Sequence, residues 1–191
     1  MKNRVRGSNV TAGQTTASEQ PIFRGPEEGV EFAGDDFFDV SGFTEDPDAR
    51  TVAGVVRIDD YSADRMIWSH RDSTSPTIDT FFSDATGGVE AFAIDGDGNQ
   101  ARTGGLAVPP SAGTPFAFVA RYGLSGSTLT VDMDLSNGQS GADSVSMTND
   151  NFTSSREQVG RKADTGGFFM IGRMYEHSGC SNSFRSNGGY D

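Results

Sequence analysis

Paired carboxylates are the first chemistry to look for, and Asp132 and Asp134 provide them in the run Leu129-Thr130-Val131-Asp132-Met133-Asp134-Leu135. Successive side chains of a strand alternate faces, so residues two apart share one. Two carboxylates so placed can serve as nucleophile and general acid in glycoside cleavage. No glutamate stands near this pair, and exposed acids on a strand most often do no more than solvate it. Glu90, in Gly88-Val89-Glu90, has no acid two positions on and is weaker still. Histidine chemistry has little material, because His70 and His177 are the only two. His70 and Arg71 are neighbours and must point to opposite strand faces, which makes His70 a packing or hydrogen-bonding residue. His177 follows Tyr175 and Glu176 without any alternation and is expected in a loop. A serine nucleophile of the G-x-S-x-G kind is absent from the sequence.

Oxygen ligands for calcium come closest to a pattern at Asp95-Gly96-Asp97-Gly98-Asn99, where Asp95, Asp97 and Asn99 alternate as at the start of an EF-hand loop. The pattern then breaks, with Gln100 at the sixth position and Leu106 at the twelfth. A hairpin turn explains both glycines without a metal, since Asp-Gly supplies the positive φ angles of tight turns. No resident cofactor is therefore expected, with calcium at Asp95, Asp97 and Asn99 as the metal to test. Aromatic platforms for sugars are Tyr61, in Asp59-Asp60-Tyr61-Ser62, and Tyr175, both expected in loops. Trp68, the single tryptophan, lies in the apolar run Met66-Ile67-Trp68 and is expected in the core.

The elements that must position these residues are strands. From residue 29 onward the pattern has period two, punctuated by Gly, Asn, Asp and Pro. Strands are predicted at 30–34, 37–40, 51–58, 66–70, 78–82, 89–94, 116–122, 129–135 and 168–171. Residues 129, 131, 133 and 135 point inward, and 130, 132 and 134 outward. No window has sustained helical periodicity, so at most one helical turn is expected, near 154–158. A chain of 191 residues fits one domain, and surface scaling lets a chain of this size bury roughly 70% of its unfolded area. The 14 Phe supply much of that core.

Residues 1–25 read as an extended polar arm ahead of a domain at 26–191, with Lys2, Arg4 and Arg6 at its tip. The whole chain carries 15 basic and 27 acidic residues, a net charge of −12. Such a body repels phosphate backbones and anionic membranes, so neither nucleic acid nor membrane is an expected partner. The start of the chain has no apolar core of a secretory signal. Cys180 is the only cysteine, so no intramolecular disulfide can form.

The order of these segments resembles the concanavalin-A-like lectin/glucanase superfamily, and within it the laminin-G-like branch. The residues that carry the resemblance are Val30-Glu31-Phe32-Ala33-Gly34, then the alternating stretch 51–58, then Met66-Ile67-Trp68-Ser69 running to Asp72. Gly113 to Tyr122 follows, then Leu129-Thr130-Val131-Asp132, and last Ile171-Gly172-Arg173. The match spans roughly residues 29–173. It implies an all-β fold, an antiparallel two-sheet jelly-roll sandwich of the concanavalin-A type with an extended N-terminal arm. Its glycanases use an E-x-D-x-x-E strand, which Asp132-Met133-Asp134 does not reproduce. The family's closing strand has no clear counterpart near the C-terminus, so a short closing strand, the arm or a neighbouring molecule is expected to supply it.

These readings give a non-enzymatic virion structural protein, a bacteriophage capsid decoration or tail-associated subunit that presents a lectin-like domain outward. Lys2, Arg4 and Arg6 would dock on other virion subunits, with the chain particle-bound or a homo-oligomer, assembled in the host cytoplasm. The alternative is an extracellular carbohydrate-binding module that recognises cell-surface polysaccharide with or without calcium.

Overall fold

Alternating apolar residues make strands, and the strands here are short, numerous and bounded by glycine turns. The computed structural model describes residues 11–25, 27–41, 49–71, 77–83, 85–94, 97–107, 111–147, 157–161 and 167–180. In chain order the strands are β1 (Thr11–Gly13), β2 (Ile22–Gly25), β3 (Gly29–Ala33), β4 (Phe38–Ser41) and β5 (Ala49–Ile58). Next come β6 (Arg65–His70), β7 (Thr77–Ser83), β8 (Gly88–Ile94), β9 (Gln100–Arg102) and β10 (Leu106–Ala107). The last five are β11 (Phe116–Ser125), β12 (Thr128–Leu135), β13 (Ser140–Ser146), β14 (Glu157–Val159) and β15 (Ile171–Cys180). A single 3-10 turn, Ala17–Glu19, separates β1 from β2.

The strands form two antiparallel sheets. The first runs β1-β4-β14-β6-β7-β8-β10, with β9 also paired to β8. The second runs β13-β12-β11-β5-β15-β3-β2. They pack face to face, with β12 and β13 against β8 and β9 and Phe32 of β3 against Phe38 of β4, edge to face at 5.9 Å. Between them lies one apolar core that includes Phe32, Val56, Trp68, Phe82, Phe118 and Met133. This is the expected two-sheet sandwich, with Trp68 fully buried as expected. The inward positions of β12 are all buried, because period two fits the pleat when one face meets a core.

Two expectations about the elements are corrected, and two open points are filled in. Within residues 1–25, expected as an arm, β1 pairs with β4 and β2 with β3, each as the outermost strand of its sheet. Backbone hydrogen bonding can recruit a segment that has little apolar area of its own. The helical turn expected near 154–158 is not found at its described end: Glu157 and Gln158 belong with Val159 to β14, between β4 and β6, and all three side chains are buried. The closing strand belongs to the chain itself, because β15 inserts between β5 and β3. His177 therefore lies in that strand and not in a loop.

Gly172 explains the Ile-Gly-Arg element of the sequence. Its φ is 152°, and a Cβ there would stand 1.9 Å from the Arg57 carbonyl oxygen. Only glycine lets β15 approach β5 this closely.

Candidate functional site

Antiparallel register lines up one row of side chains on the first sheet's outer face. Asp39 of β4 is opposite Gln158, Gln158 opposite Ser69, and Ser69 opposite Asp79. Asp79 in turn faces Phe92, which faces Arg102 of β9. A second row beside it holds Met66, Phe81 and Glu90. The strand neighbours of these residues, Trp68, Ile78 and Val159 among them, fill the core, so alternation sends the two rows outward.

An outer face should be wet, yet Gln158, Ser69, Asp79 and Glu90 are all fully buried. Arginines cover them. Arg71 Nε donates to both carboxylate oxygens of Asp79, at 3.0 and 2.8 Å, and its Nη2 donates to the same group. Arg102 Nε donates to Glu90 Oε2 at 2.8 Å, while Glu90 Oε1 accepts the Thr86 hydroxyl at 2.7 Å. The same guanidinium stands 5.4 Å from the ring of Phe92 and 6.0 Å from that of Phe81. Arg161 lies 3.6 Å over the Phe37 ring and donates to Gln158 Oε1 at 3.2 Å. Gln158 Nε2 then donates to exposed Asp39 at 2.5 Å. Pairing is what makes these buried carboxylates tolerable, since an isolated buried charge is costly. The result is a floor of satisfied polar groups under a layer of guanidinium planes, half-buried Phe81 and Phe92, and the open Asp39 carboxylate.

A second polar cluster lies between the sheets. Glu157 accepts from Arg50 at 3.2 Å and from the Trp68 indole at 2.8 Å, and His70 stacks on Trp68 at 6.1 Å. The Tyr122 hydroxyl donates to the Asp79 carbonyl at 2.7 Å and shares a hydrogen bond with Thr80 at 2.9 Å. Burial pushes that hydroxyl's pKa far up. Shut inside the core, this cluster ties β14 of one sheet to β5 of the other and offers no access to a ligand.

The residues singled out in the sequence are scattered. Asp132 and Asp134 lie on the outer face of the second sheet and share Arg121, at 2.5 and 2.8 Å. Glu90 lies on the arginine-covered face of the first sheet. Tyr61 packs its ring on Phe82 at 4.4 Å, and its hydroxyl is buried without a hydrogen-bond partner; burial raises its pKa. Tyr175 is a half-buried residue of β15 beside Arg57. Among the described residues the exposed aromatics are instead Phe23 and Phe168. Asp97 and Asn99 occupy the turn between β8 and β9, whereas Asp95, Lys2, Arg4 and Arg6 lie outside the described residues. Among the described residues no three His, Cys, Asp or Glu side chains gather as a metal site.

Sequence reasoning missed Asp39, Ser69, Arg71, Asp79, Arg102, Gln158 and Arg161. The one signal for them was an acid and an aromatic two positions apart on successive strands, Asp79 with Phe81 and Glu90 with Phe92.

No protein-family model matches the chain, nor does any curated protein. Solved structures do match. Domains LG4-5 of the mouse laminin alpha1 chain superpose with a TM-score of 0.55 at 14% identity, over 77% of this chain and 40% of that one. The chain thus spans well under two thirds of the laminin structure. The CBM40 domain of the Ruminococcus gnavus IT-sialidase, bound to alpha2,3 sialyllactose, gives 0.55 at 11% identity, over 80% of this chain and 89% of that one. Tailspike protein 2 of Escherichia coli O157:H7 bacteriophage CAB120 gives 0.51 at 12% identity, over 90% of this chain and 25% of that one. At these identities the likeness establishes the fold alone: the chain is an antiparallel two-sheet β-sandwich like those of the laminin and CBM40 domains.

Proposed function

We propose that this chain is a non-catalytic carbohydrate-binding domain that receives a glycan on the outer face of its first sheet. The observation that carries the proposal is the row Asp39, Gln158, Ser69, Asp79, Phe92 and Arg102, a fixed polar floor with arginines and aromatic rings above it. Guanidinium N–H groups and an open carboxylate meet sugar hydroxyls with donors and acceptors, and ring faces meet sugar C–H faces. The sialyllactose bound to the sialidase domain, a sugar held by a sandwich of the same fold, favours the same reading. A broad glycan array with the wild type, Arg102→Gln and Phe92→Ala tests it. The expected result is retention of one glycan class, weakened in both variants while their melting curves stay cooperative. An array on which the wild type binds nothing overturns the proposal.

A second reading concerns where the domain works. A phage tailspike contains the same fold, which supports presentation of this domain on a virion as a decoration or tail-associated subunit, docked through Lys2, Arg4 and Arg6. Replacing those three residues by alanine would then abolish oligomerisation or particle attachment and leave glycan binding unchanged. Equal attachment by the triple variant would refute the docking role. Calcium at Asp95, Asp97 and Asn99 is tested on the same array by adding a chelator, with loss of binding as the result in its favour.

A further inference from the structure

We infer that the outer face of the first sheet selects uncharged glycans over acidic ones; this rests on the carbohydrate-binding reading above. The inference comes from the charge balance of the face and from how each charge is already used. Among the described residues its cations are Arg71, Arg102 and Arg161, and its anions are Asp39, Asp79 and Glu90, so three positive charges meet three negative ones. No cation is left over. Arg71 spends its fork on Asp79, whose side chain is 0% exposed. Arg102 spends its Nε and Nη2 edge on Glu90, also 0% exposed. Arg161 is laid flat on Phe37 with its Nε on Gln158.

A sugar carboxylate or sulfate binds tightly by taking a guanidinium fork in two parallel hydrogen bonds. For Arg71 and Arg102 that means leaving a buried carboxylate unpaired in a dry site, and for Arg161 it means giving up Phe37 and Gln158. An acidic ligand must also approach a chain of net charge −12 and pass Asp39, the exposed acid of the row. A neutral sugar meets none of these obstacles. Its hydroxyls donate as well as accept, so a vicinal diol can bridge an outer guanidinium N–H and the Asp39 carboxylate without breaking an existing pair. Like-charge exclusion of the wrong ligand is one of the ordinary ways to obtain specificity.

The test uses the full chain on matched pairs: lactose against alpha2,3 sialyllactose, galactan against polygalacturonate, and mannan against alginate. Binding is read in about 20 mM and about 500 mM NaCl, which span strong and weak screening. The expected result is retention of a neutral member, at least about tenfold over its acidic counterpart and unchanged within about twofold by salt. Asp39→Asn leaves the face with one net positive charge and should narrow that preference. Salt-sensitive binding of an acidic member by the wild type overturns the selectivity while leaving the carbohydrate-binding reading in place. Failure to bind any member, neutral or acidic, overturns both.

Discussion

The two sheets turn different arginines outward, and they use them in opposite ways. On the second sheet Arg24 pairs with Glu31, Arg173 with Glu28 and Glu31, Arg57 with Asp59, and Arg121 with Asp132 and Asp134. These partners stand in water, as Asp132 and Asp134 show with side chains 43% and 54% exposed. On the first sheet Asp79 and Glu90 lie sealed under arginines, and Asp39 is the open acid of the row. Exposed pairs gain little and are screened by salt, so the second face is a solvated charge ladder. Buried pairs resist breaking from one side, so the first face holds a fixed geometry, as the proposed glycan site requires. What separates the proposed site from the other surface is burial of the acid beneath the base, and not the kinds of residue present.

Substitutions can break that contrast in order of size. Asp79→Ala strands Arg71 above a dry floor and should lower stability by about 3–5 kcal/mol, read as a fall in the urea midpoint. Glu90→Ala should cost less, about 1–3 kcal/mol, because the Arg102 side chain is 41% exposed and returns to water. Arg121→Ala on the second face should stay within about 1 kcal/mol of wild type, and about 0.5 M salt should erase most of the difference. If Arg121→Ala proved as damaging as Asp79→Ala, the distinction between the faces would be lost.

The smallest effect lies in the connection from β5 to β6, which joins one sheet to the other. Hydrogen bonds from Ser62, with Arg65 adding to them, hold the Asp60 carboxyl down at about 2. The folded state therefore favours the ionised form. That contribution is complete above the ordinary aspartate range near pH 4 and is lost as pH falls towards 2. Asp60→Asn should flatten this part of the acid-unfolding curve and lower the plateau above about pH 5 relative to the wild type, the two curves converging near pH 2. An unaltered slope between about pH 4 and 2 would remove Asp60 from the account.

How much of this was legible follows from what each element asks of its sequence. β12 could be read because it has one dry and one wet face, which forces strict alternation on Leu129, Val131, Met133 and Leu135. β13, Ser-Gly-Ala-Asp-Ser-Val-Ser, is an edge strand with no fully buried side chain, so nothing required a period. β14 is buried on both faces over three residues, Glu157, Gln158 and Val159, and apart from Arg161, three residues on, the partners of its polar side chains lie 89 to 119 positions away. Such partners leave no local mark. The outer row was hidden for the same reason, since it exists only in the register of six strands. Asp132 and Asp134 stood out because they are close in sequence, and sequence proximity is what makes a pair visible without making it a site.

The most direct test of the central claim compares one arginine from each face in a single binding experiment. The best glycan from the array is titrated into the wild type, Arg102→Gln and Arg121→Gln, with melting temperatures as the control for folding. The account predicts that Arg102→Gln weakens affinity by at least about tenfold, or about 1.4 kcal/mol, and that Arg121→Gln binds as the wild type does. Loss of binding in Arg121→Gln with Arg102→Gln unaffected would place the ligand on the second sheet and contradict it.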